Sequence, residues 1–186
     1  MKQQFSKSDQ TFVVTGIASY VNVLTPRAAV EGAEPKYSMQ IIIDKDDRKS
    51  LDAAEKGVEA AKQNSIATFG GKIPSNLKLP FRDGDEERGD LPEYKNKMSA
   101  NANSKKRPDI VDKKLDAVID ANDIYSGMKV RAKITAFGYS VNGNKGVGLS
   151  LGNIQKIGDG DPLGGASRSS ADDFDVYKES TADMLS

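Results

Sequence analysis

The sequence contains no cysteine, no histidine and no tryptophan among its 186 residues. Without cysteine and histidine there can be no disulfide framework and no Cys/His zinc site. A Ser-His-Asp triad, a Cys-His pair and a histidine general base are excluded for the same reason. No apolar run approaches the roughly 20 residues that a membrane-spanning helix needs, and residues 1–10 are polar, unlike a signal peptide. These absences predict a cytosolic protein that does not enter a membrane.

Charge is distributed unevenly along the chain, although 27 basic and 27 acidic residues give a formal net charge of zero. From Asp159 onward seven acidic residues accompany only Arg168 and Lys178, so this tail carries −5 and the preceding body +5. Such an asymmetry indicates a functional role for charge. Because glycine, serine, aspartate and alanine dominate the tail, we predict a folded domain over residues 1–158 and a flexible, disordered segment over 159–186.

Alternating apolar residues predict five long strands, the first of which is apolar on both faces and contains Gly16 as the mark of a bend. Asn142-Gly143-Asn144 is hairpin turn chemistry between the last two strands. The predicted strands are 11–24, 36–44, 97–105, 127–141 and 145–157, with a short edge strand over 109–112.

Helical spacing after the second strand predicts one amphipathic helix, which buries Leu51, Ala54, Val58 and Ala61. Asp44 or Asp46 is the expected N-cap, and the helix should end before Gly70 and Gly71. Residues 73–92 are expected to be irregular. The fold class is therefore mostly β: a five-stranded β-barrel of the OB-fold type with one helix inserted after the second strand. A β-sandwich or another α+β sheet is the alternative.

The strand predicted over 127–141 has two chemically different faces. Val130, Ala132, Ile134 and Ala136 would line the core. The opposite, exposed face then carries three cations followed by two aromatic rings: Lys129, Arg131, Lys133, Phe137 and Tyr139. Cations that follow phosphates, beside rings that stack on unpaired bases, are typical of single-stranded nucleic-acid binding. The alternative is that both rings pack beneath the helix or a loop and that the cations are merely solvated.

Further cations extend this hypothesis to other parts of the chain. A second basic and polar stripe follows the third long strand and could equally be a solubilising edge: Lys97, Asn101, Asn103 and Lys105, with Lys106 and Arg107. The long loop before that strand could close over a bound nucleic acid or simply lie on the surface. Its candidate residues are Lys72, Lys78, Arg82, Arg88 and Tyr94.

Two enzyme hypotheses are weaker. Asp83, Asp85, Glu86, Glu87 and Asp90 could hold Mg²⁺ or Ca²⁺, but their spacing matches no calcium loop. The elements Pro108-Asp109 and Asp112-Lys113 are similar to those of metal-dependent nucleases but lie too close together. We therefore expect no enzyme activity, no metal and no cofactor.

Several strings in the sequence resemble a family of phage-encoded single-stranded DNA-binding proteins, and the similarity runs across nearly all of residues 11–160. No single string is a catalytic signature; the resemblance depends on many positions together. The strings are residues 79–86, 92–95, 125–130, 145–147 and 151–157.

This resemblance implies an OB-fold and sequence-independent binding of single-stranded DNA in phage replication or recombination, in the bacterial host cytoplasm. It also implies an acidic tail that regulates binding and recruits replication or recombination proteins, for which Asp172, Asp173, Phe174 and Asp175 are the candidates. A homodimer is left open. In contrast to many replication single-strand binders, the sequence has no aromatic residue at its last position, Ser186.

Two other functions remain open at this point. One is an RNA-binding module on the same fold, since a stacking surface accepts either sugar. The other is a protein-interaction adaptor that acts through the acidic tail.

Overall fold

Seven β-strands and two α-helices form over residues 4–163, the part of the chain that the computed structural model describes. Short 3-10 turns lie at Lys7–Gln10, Pro92–Tyr94 and Ala121–Asp123. The elements in chain order are β1 (Thr11–Arg27), β2 (Lys36–Asp44), α1 (Arg48–Asn64), β3 (Phe81–Asp83), α2 (Gly84–Arg88), β4 (Lys97–Ser104), β5 (Ile110–Val111), β6 (Lys129–Val141) and β7 (Asn144–Gly158).

The five long strands close into a barrel. β1 pairs antiparallel with β2 on one edge and with β6 on the other. On the far sides, β2 pairs antiparallel with β4, and β6 pairs antiparallel with β7. Closure comes where β4 meets β7 in parallel, with Asn103 opposite Ser150. The order around the barrel is therefore β1-β2-β4-β7-β6, and the helix follows the second strand. The predicted five-stranded OB-fold is confirmed.

The interior of the barrel is filled by the inward-facing residues of every long strand. In β6 the alternation is strict, because Val130, Ala132, Ile134 and Ala136 have no exposed surface. Helix α1 packs on this core through the four residues that its spacing predicted, Leu51, Ala54, Val58 and Ala61. Gly57 lies between them against the ring of Phe12, where a Cβ atom would overlap the ring.

The structure corrects two local expectations. Asp47, rather than Asp44 or Asp46, caps α1, because its side chain accepts a hydrogen bond from the backbone N–H of Ser50. Asp44 stays in β2 and forms an ion pair with Lys97.

The region predicted to be irregular, residues 73–92, contains β3 and α2. It is ordered by its neighbours, since β3 pairs with β4 and Asp83 caps α2 through the backbone N–H of Asp85. These are tertiary and capping interactions that short local patterns do not reveal.

Residues 81–96, which we call the α2 segment, are tied to the barrel by Lys45. Its Nζ lies 2.7 Å from Asp83 Oδ1 and 2.7 Å from Asp85 Oδ2. Asp85 also accepts a 3.0 Å hydrogen bond from the backbone N–H of Asn96. The hydrogen bond from Lys45 holds the pKa of Asp83 below its usual value, and that from Asn96, followed by that from Lys45, does the same for Asp85.

Residues 159–163, which the sequence assigned to the tail, contact the barrel in the structure. The backbone N–H of Gly160 donates to the Tyr125 hydroxyl at 3.0 Å, and that of Leu163 donates to the carbonyl of Ser126 at 2.9 Å. The predicted tail residues Asp172, Asp173, Phe174 and Asp175 lie outside the described residues.

Replacing Gly57 with alanine tests the approach of α1 to β1. Although alanine favours a helix by about 1 kcal/mol, its Cβ would collide with Phe12. We expect Gly57→Ala to lower the free energy of unfolding by about 1–3 kcal/mol, as overpacking does. Urea denaturation measures the free energy of unfolding, and Lys56→Ala at an exposed neighbouring position is the control. A stabilised Gly57→Ala variant would contradict the packing described.

The Lys45 ion pairs predict a pH-dependent stability. Because the folded-state pKa values of Asp83 and Asp85 are lowered, their contribution is complete above about pH 4 and is lost as the pH falls through the lowered values. We expect Lys45→Met to have a lower thermal midpoint than wild type at pH 7, and the difference to narrow below pH 4. Arg48→Met, which breaks an exposed helix pair with Asp52, should change the midpoint little. A constant difference across this pH range would exclude the carboxylates as its cause.

Candidate nucleic-acid interface

The outer face of β6 carries the cations that the sequence placed there. Lys129, Arg131 and Lys133 are exposed, and Arg131 Nη1 lies 3.1 Å from Gln155 Oε1 on β7. Within residues 4–163, neither Lys129 nor Lys133 forms an ion pair. These charges are thus available to solvent and to a polyanion.

The two rings at the end of β6 lie across glycines of β7. Phe137 is opposite Gly148 and Tyr139 is opposite Gly146. A Cβ atom on Gly148 would sit 2.7 Å from Phe137 Cζ, and one on Gly146 would sit 2.6 Å from the Tyr139 hydroxyl oxygen. The small residues therefore seat the rings and leave no empty shallow surface beside them. Phe137 keeps 41% of its surface exposed, so it can still stack on a base.

The barrel order separates this face from another polar one. β6 neighbours β1 and β7, so β2 and β4 are the two long strands that do not touch it. The outer surfaces of β6 and of the β2–β4 pair consequently point to different sides of the barrel.

The other predicted cations are spread over several elements. Lys97 is partly buried and paired with Asp44 at 2.7 Å, and Lys105 pairs with Glu34 at 3.1 Å. Arg82 lies in β3, 3.2 Å from Glu87. Four others are exposed: Lys106 and Arg107 in the turn after β4, and Lys72 and Lys78 in the segment after α1. Lys78 donates a 3.1 Å hydrogen bond to Asn144 Oδ1.

Tyr94 is not a surface ring. Only 2% of it is exposed, and its hydroxyl donates a 2.6 Å hydrogen bond to Gln40 Oε1. Burial raises the pKa of this hydroxyl, which keeps it protonated and able to donate. In this structure Tyr94 therefore supports other side chains and does not offer a face for stacking.

Beside Tyr94, the candidate Arg88 forms a stacked pair with Tyr20, a ring that the sequence analysis did not select. Tyr20 is 59% exposed. The Arg88 guanidinium carbon lies 5.9 Å from the Tyr20 ring centre and 4.8 Å from that of Tyr94. Arg88 Nη1 also donates to both hydroxyls, at 3.3 Å and 3.2 Å. An arginine held beside two rings, with one of the rings exposed, offers both a cation and an aromatic surface to a base.

A β-bulge explains why strand parity did not indicate Tyr20. The pairing of β1 with β2 shifts register between Ser19 and Asn22, and Tyr20 has φ of 45°. Strict alternation groups Tyr20 with the buried Val14 and Ala18, whereas the bulge turns it outward. No local sequence signal marks this bulge, because the residue that adopts the positive φ is not a glycine.

Two clefts flank the Tyr20–Arg88 pair on the outer face of β2 and β4. One has a volume of about 110 Å³, and its lining is polar: Gln40, Arg82, Asp83, Gly84, Glu87, Arg88, Ser99 and Asn101. The other, about 250 Å³, lies beside the β1–β2 connection and includes Arg27 and Lys36.

Two kinds of feature are absent from the part of the chain that the structure describes. None of their helices combines the length and apolarity needed to cross a membrane. Residues 4–163 also contain no group of three acidic side chains placed to hold a metal ion.

Known proteins share this fold. A family model described as the ssDNA-binding protein of Enterobacter phage Enc34 matches residues 11–185. Among solved structures, the single-stranded DNA-binding protein from bacteriophage Enc34 in complex with ssDNA superposes with a TM-score of 0.74 at 22% identity, over 88% of this chain and 100% of that one. The structure of gp2.5, a single-stranded DNA-binding protein encoded by bacteriophage T7, superposes with a TM-score of 0.60 at 18% identity. The match covers 92% of this chain and 98% of that one.

The comparison with curated protein sequences finds no match. The two structural similarities show a common fold, and the family model covers most of the chain. The resemblance to phage-encoded single-stranded DNA-binding proteins is confirmed, and the chain belongs to the family of the ssDNA-binding protein of Enterobacter phage Enc34.

Proposed function

We propose that this protein coats single-stranded DNA in phage replication or recombination, inside the bacterial host, without catalysing a reaction. Membership of the ssDNA-binding family supports the proposal. A protein that binds single strands and not duplex shifts the equilibrium toward open DNA. Coating would therefore melt secondary structure and shield the strand from nucleases. Replication or recombination proteins would be partners, and a homodimer is compatible with this role.

The stacked pair of Tyr20 and Arg88 is the observation that carries the proposal. It lies on the outer face of β2 and β4, the second and third long strands, and oligonucleotides bind to that face in OB-folds. The pair offers an exposed ring for stacking and a cation whose guanidinium is already oriented by Tyr94. A side chain held in place before binding loses less entropy when the strand arrives.

From the Tyr20–Arg88 pair, the DNA strand would continue toward the loops at either side of the β2–β4 face. Arg27, Lys36 and Lys105 lie at the β1–β2 connection and the end of β4, where they can follow phosphates. Phe137 and Tyr139 lie in the β6–β7 hairpin, the other loop that OB-folds use. Two sequence-predicted rings thus fit this path.

The β6 cations define a competing path. Lys129, Arg131 and Lys133 are exposed on the side of the barrel away from β2 and β4. A strand that followed them would run along β6 and not across β2 and β4. The two placements therefore predict different effects of substitution.

Anisotropy of a labelled oligo-dT across a salt series tests the binding surface. We expect Tyr20→Ala to raise Kd roughly 5- to 150-fold, since a stacked base contributes about 1–3 kcal/mol. Arg88→Ala should weaken binding more than Arg48→Ala, which removes the same charge from α1. The log of the association constant should fall with the log of salt by about 0.7 per phosphate neutralised.

Two further variants separate the paths. If the β6–β7 hairpin contributes, binding should be weaker in the double variant Phe137→Ala/Tyr139→Ala. The salt slope should fall in the triple variant Lys129→Ala/Arg131→Ala/Lys133→Ala only if the DNA strand follows β6. Tight binding that Tyr20→Ala leaves unchanged, with a large loss in the triple variant, would move the site to β6. A matched RNA oligonucleotide tests the RNA-binding alternative, and no binding at low salt by folded protein would favour the adaptor.

We also propose that the acidic tail competes with DNA for the basic body and presents Phe174 to partner proteins. The charges of −5 and +5 on the two parts of the sequence support this. Because residues 159–163 contact the barrel, a truncation that tests the tail should end at Leu163 rather than at Gly158.

Truncation after Leu163 should lower Kd for oligo-dT, with the larger effect at low salt where charge competition is strongest. Asp172→Asn/Asp173→Asn/Asp175→Asn should reproduce part of this gain while keeping the tail length. An unchanged Kd in both variants would exclude competition and leave the tail a role in partner binding.

A further inference from the structure

The small polar cleft beside Arg88 contains polar groups that have no partner within residues 4–163. Gln40 is 5% exposed and Ser99 is 4% exposed, yet the Gln40 side-chain nitrogen and the Ser99 hydroxyl form no hydrogen bond there. No fully buried side-chain nitrogen or oxygen among the described residues lacks a partner. These two groups therefore keep some accessible surface, and both residues line the cleft.

The strand register places these side chains together on one face. Gln40 of β2 is opposite Asn101 of β4, and Ser99 is opposite Arg82 of β3. Asn101 is exposed, and its side-chain amide also has no partner in the described residues. The β-sheet thus presents two amides and a hydroxyl side by side, and Arg82 and Arg88 lie at the rim.

The hydrogen-bond chain from Arg88 decides which end of the Gln40 amide faces the cleft. Arg88 can only donate, so the Tyr94 hydroxyl accepts from it and uses its own proton toward Gln40. Gln40 must receive that proton on its carbonyl oxygen. Its NH₂ group is consequently turned into the cleft as a donor.

Donors therefore dominate the cleft. Arg82 and Arg88 can only donate, Gln40 offers its NH₂ group because its oxygen is taken by Tyr94, and Ser99 and Asn101 can donate as well. Of the two carboxylates in the lining, Asp83 is bound by Lys45 and Glu87 by Arg82. A ligand that matches this pattern carries acceptor atoms in a flat edge, and the neighbouring Tyr20–Arg88 pair provides a surface for its ring.

We infer that this cleft holds one nucleobase of the bound strand and reads its carbonyl oxygen. Thymine, cytosine and guanine carry such an oxygen on their edge, whereas adenine offers only ring nitrogens as acceptors. The inference rests on the proposed binding of single-stranded DNA across β2 and β4, and adds a base preference at one position to otherwise sequence-tolerant binding. Two carboxylates in the lining make a phosphate the poorer occupant.

Anisotropy with labelled 16-mers of dT, dC and dA, in one buffer, tests the inference. The quantity measured is the ratio of Kd for dA to Kd for dT, in wild type and in Ser99→Ala/Asn101→Ala. Because both proteins meet the same oligonucleotides, the tendency of oligo-dA to stack on itself cancels when the two ratios are compared. We expect the double variant to lower the ratio about threefold to tenfold, the effect of one or two lost hydrogen bonds.

Asn103→Ala is the matched control, since Asn103 lies two residues further on the same face of β4 and outside the cleft. It should keep the wild-type ratio whatever its overall affinity. The single variant Asn101→Ala should move the ratio in the same direction as the double variant. Because Asn101 is exposed, this variant also checks that a folding defect does not explain the change.

Three results would overturn the inference. An unchanged ratio in the double variant would mean that the cleft reads no base. An equal loss for all three oligonucleotides with a lower salt slope would place a phosphate there. A wild-type ratio of one would show no base preference at all. Failure of the proposed function looks different, because folded wild-type protein would then bind none of the three.

Discussion

The pairing of β1 with strands on both of its edges is the constraint on which the rest of the structure depends. This one strand borders both halves of the barrel, and Ile17 marks the crossing because it pairs with Ile42 of β2 and with Lys129 of β6. Gly16 makes the crossing compact, since a Cβ atom there would collide with the carbonyl of Ile42. The register shift that follows turns Tyr20 outward. Closure of the core and exposure of a stacking ring thus both depend on the course of β1.

The interactions that anchor the α2 segment also orient the proposed site. Lys45 holds the start of the segment, and the buried Tyr94 holds its end against Gln40. Arg88 projects from between these anchors onto the β2–β4 face, where the two tyrosines fix its guanidinium. Most of the cost of ordering these side chains is therefore met when the protein folds. A sequence-tolerant binder benefits from this arrangement, because stacking and phosphate contacts do not depend on the base.

Two sides of the barrel carry cations in different surroundings. Among residues 4–163, the cations of β6 form no ion pair, whereas most of those near β2 and β4 are paired or stacked: Lys97, Lys105, Arg82 and Arg88. Paired cations keep a defined geometry, and a phosphate must compete with a carboxylate to bind them. Unpaired cations offer a diffuse attraction that salt screens easily. The paired cations suit a defined path for a DNA strand, and the unpaired cations suit the approach of DNA to the protein.

The sequence by itself determined the five long strands, helix α1 and the core they bury, because alternation in strands and helical spacing are local consequences of burying one face. It also determined that Lys129, Arg131 and Lys133 are exposed, since the strict alternation of β6 allows no other arrangement. Only the tertiary structure decided that Tyr94 is buried, that Tyr20 is exposed and that Gln40, Ser99 and Asn101 share a cleft. These outcomes depend on a bulge without a glycine and on pairing between distant strands. Neither leaves a periodic signal in the chain.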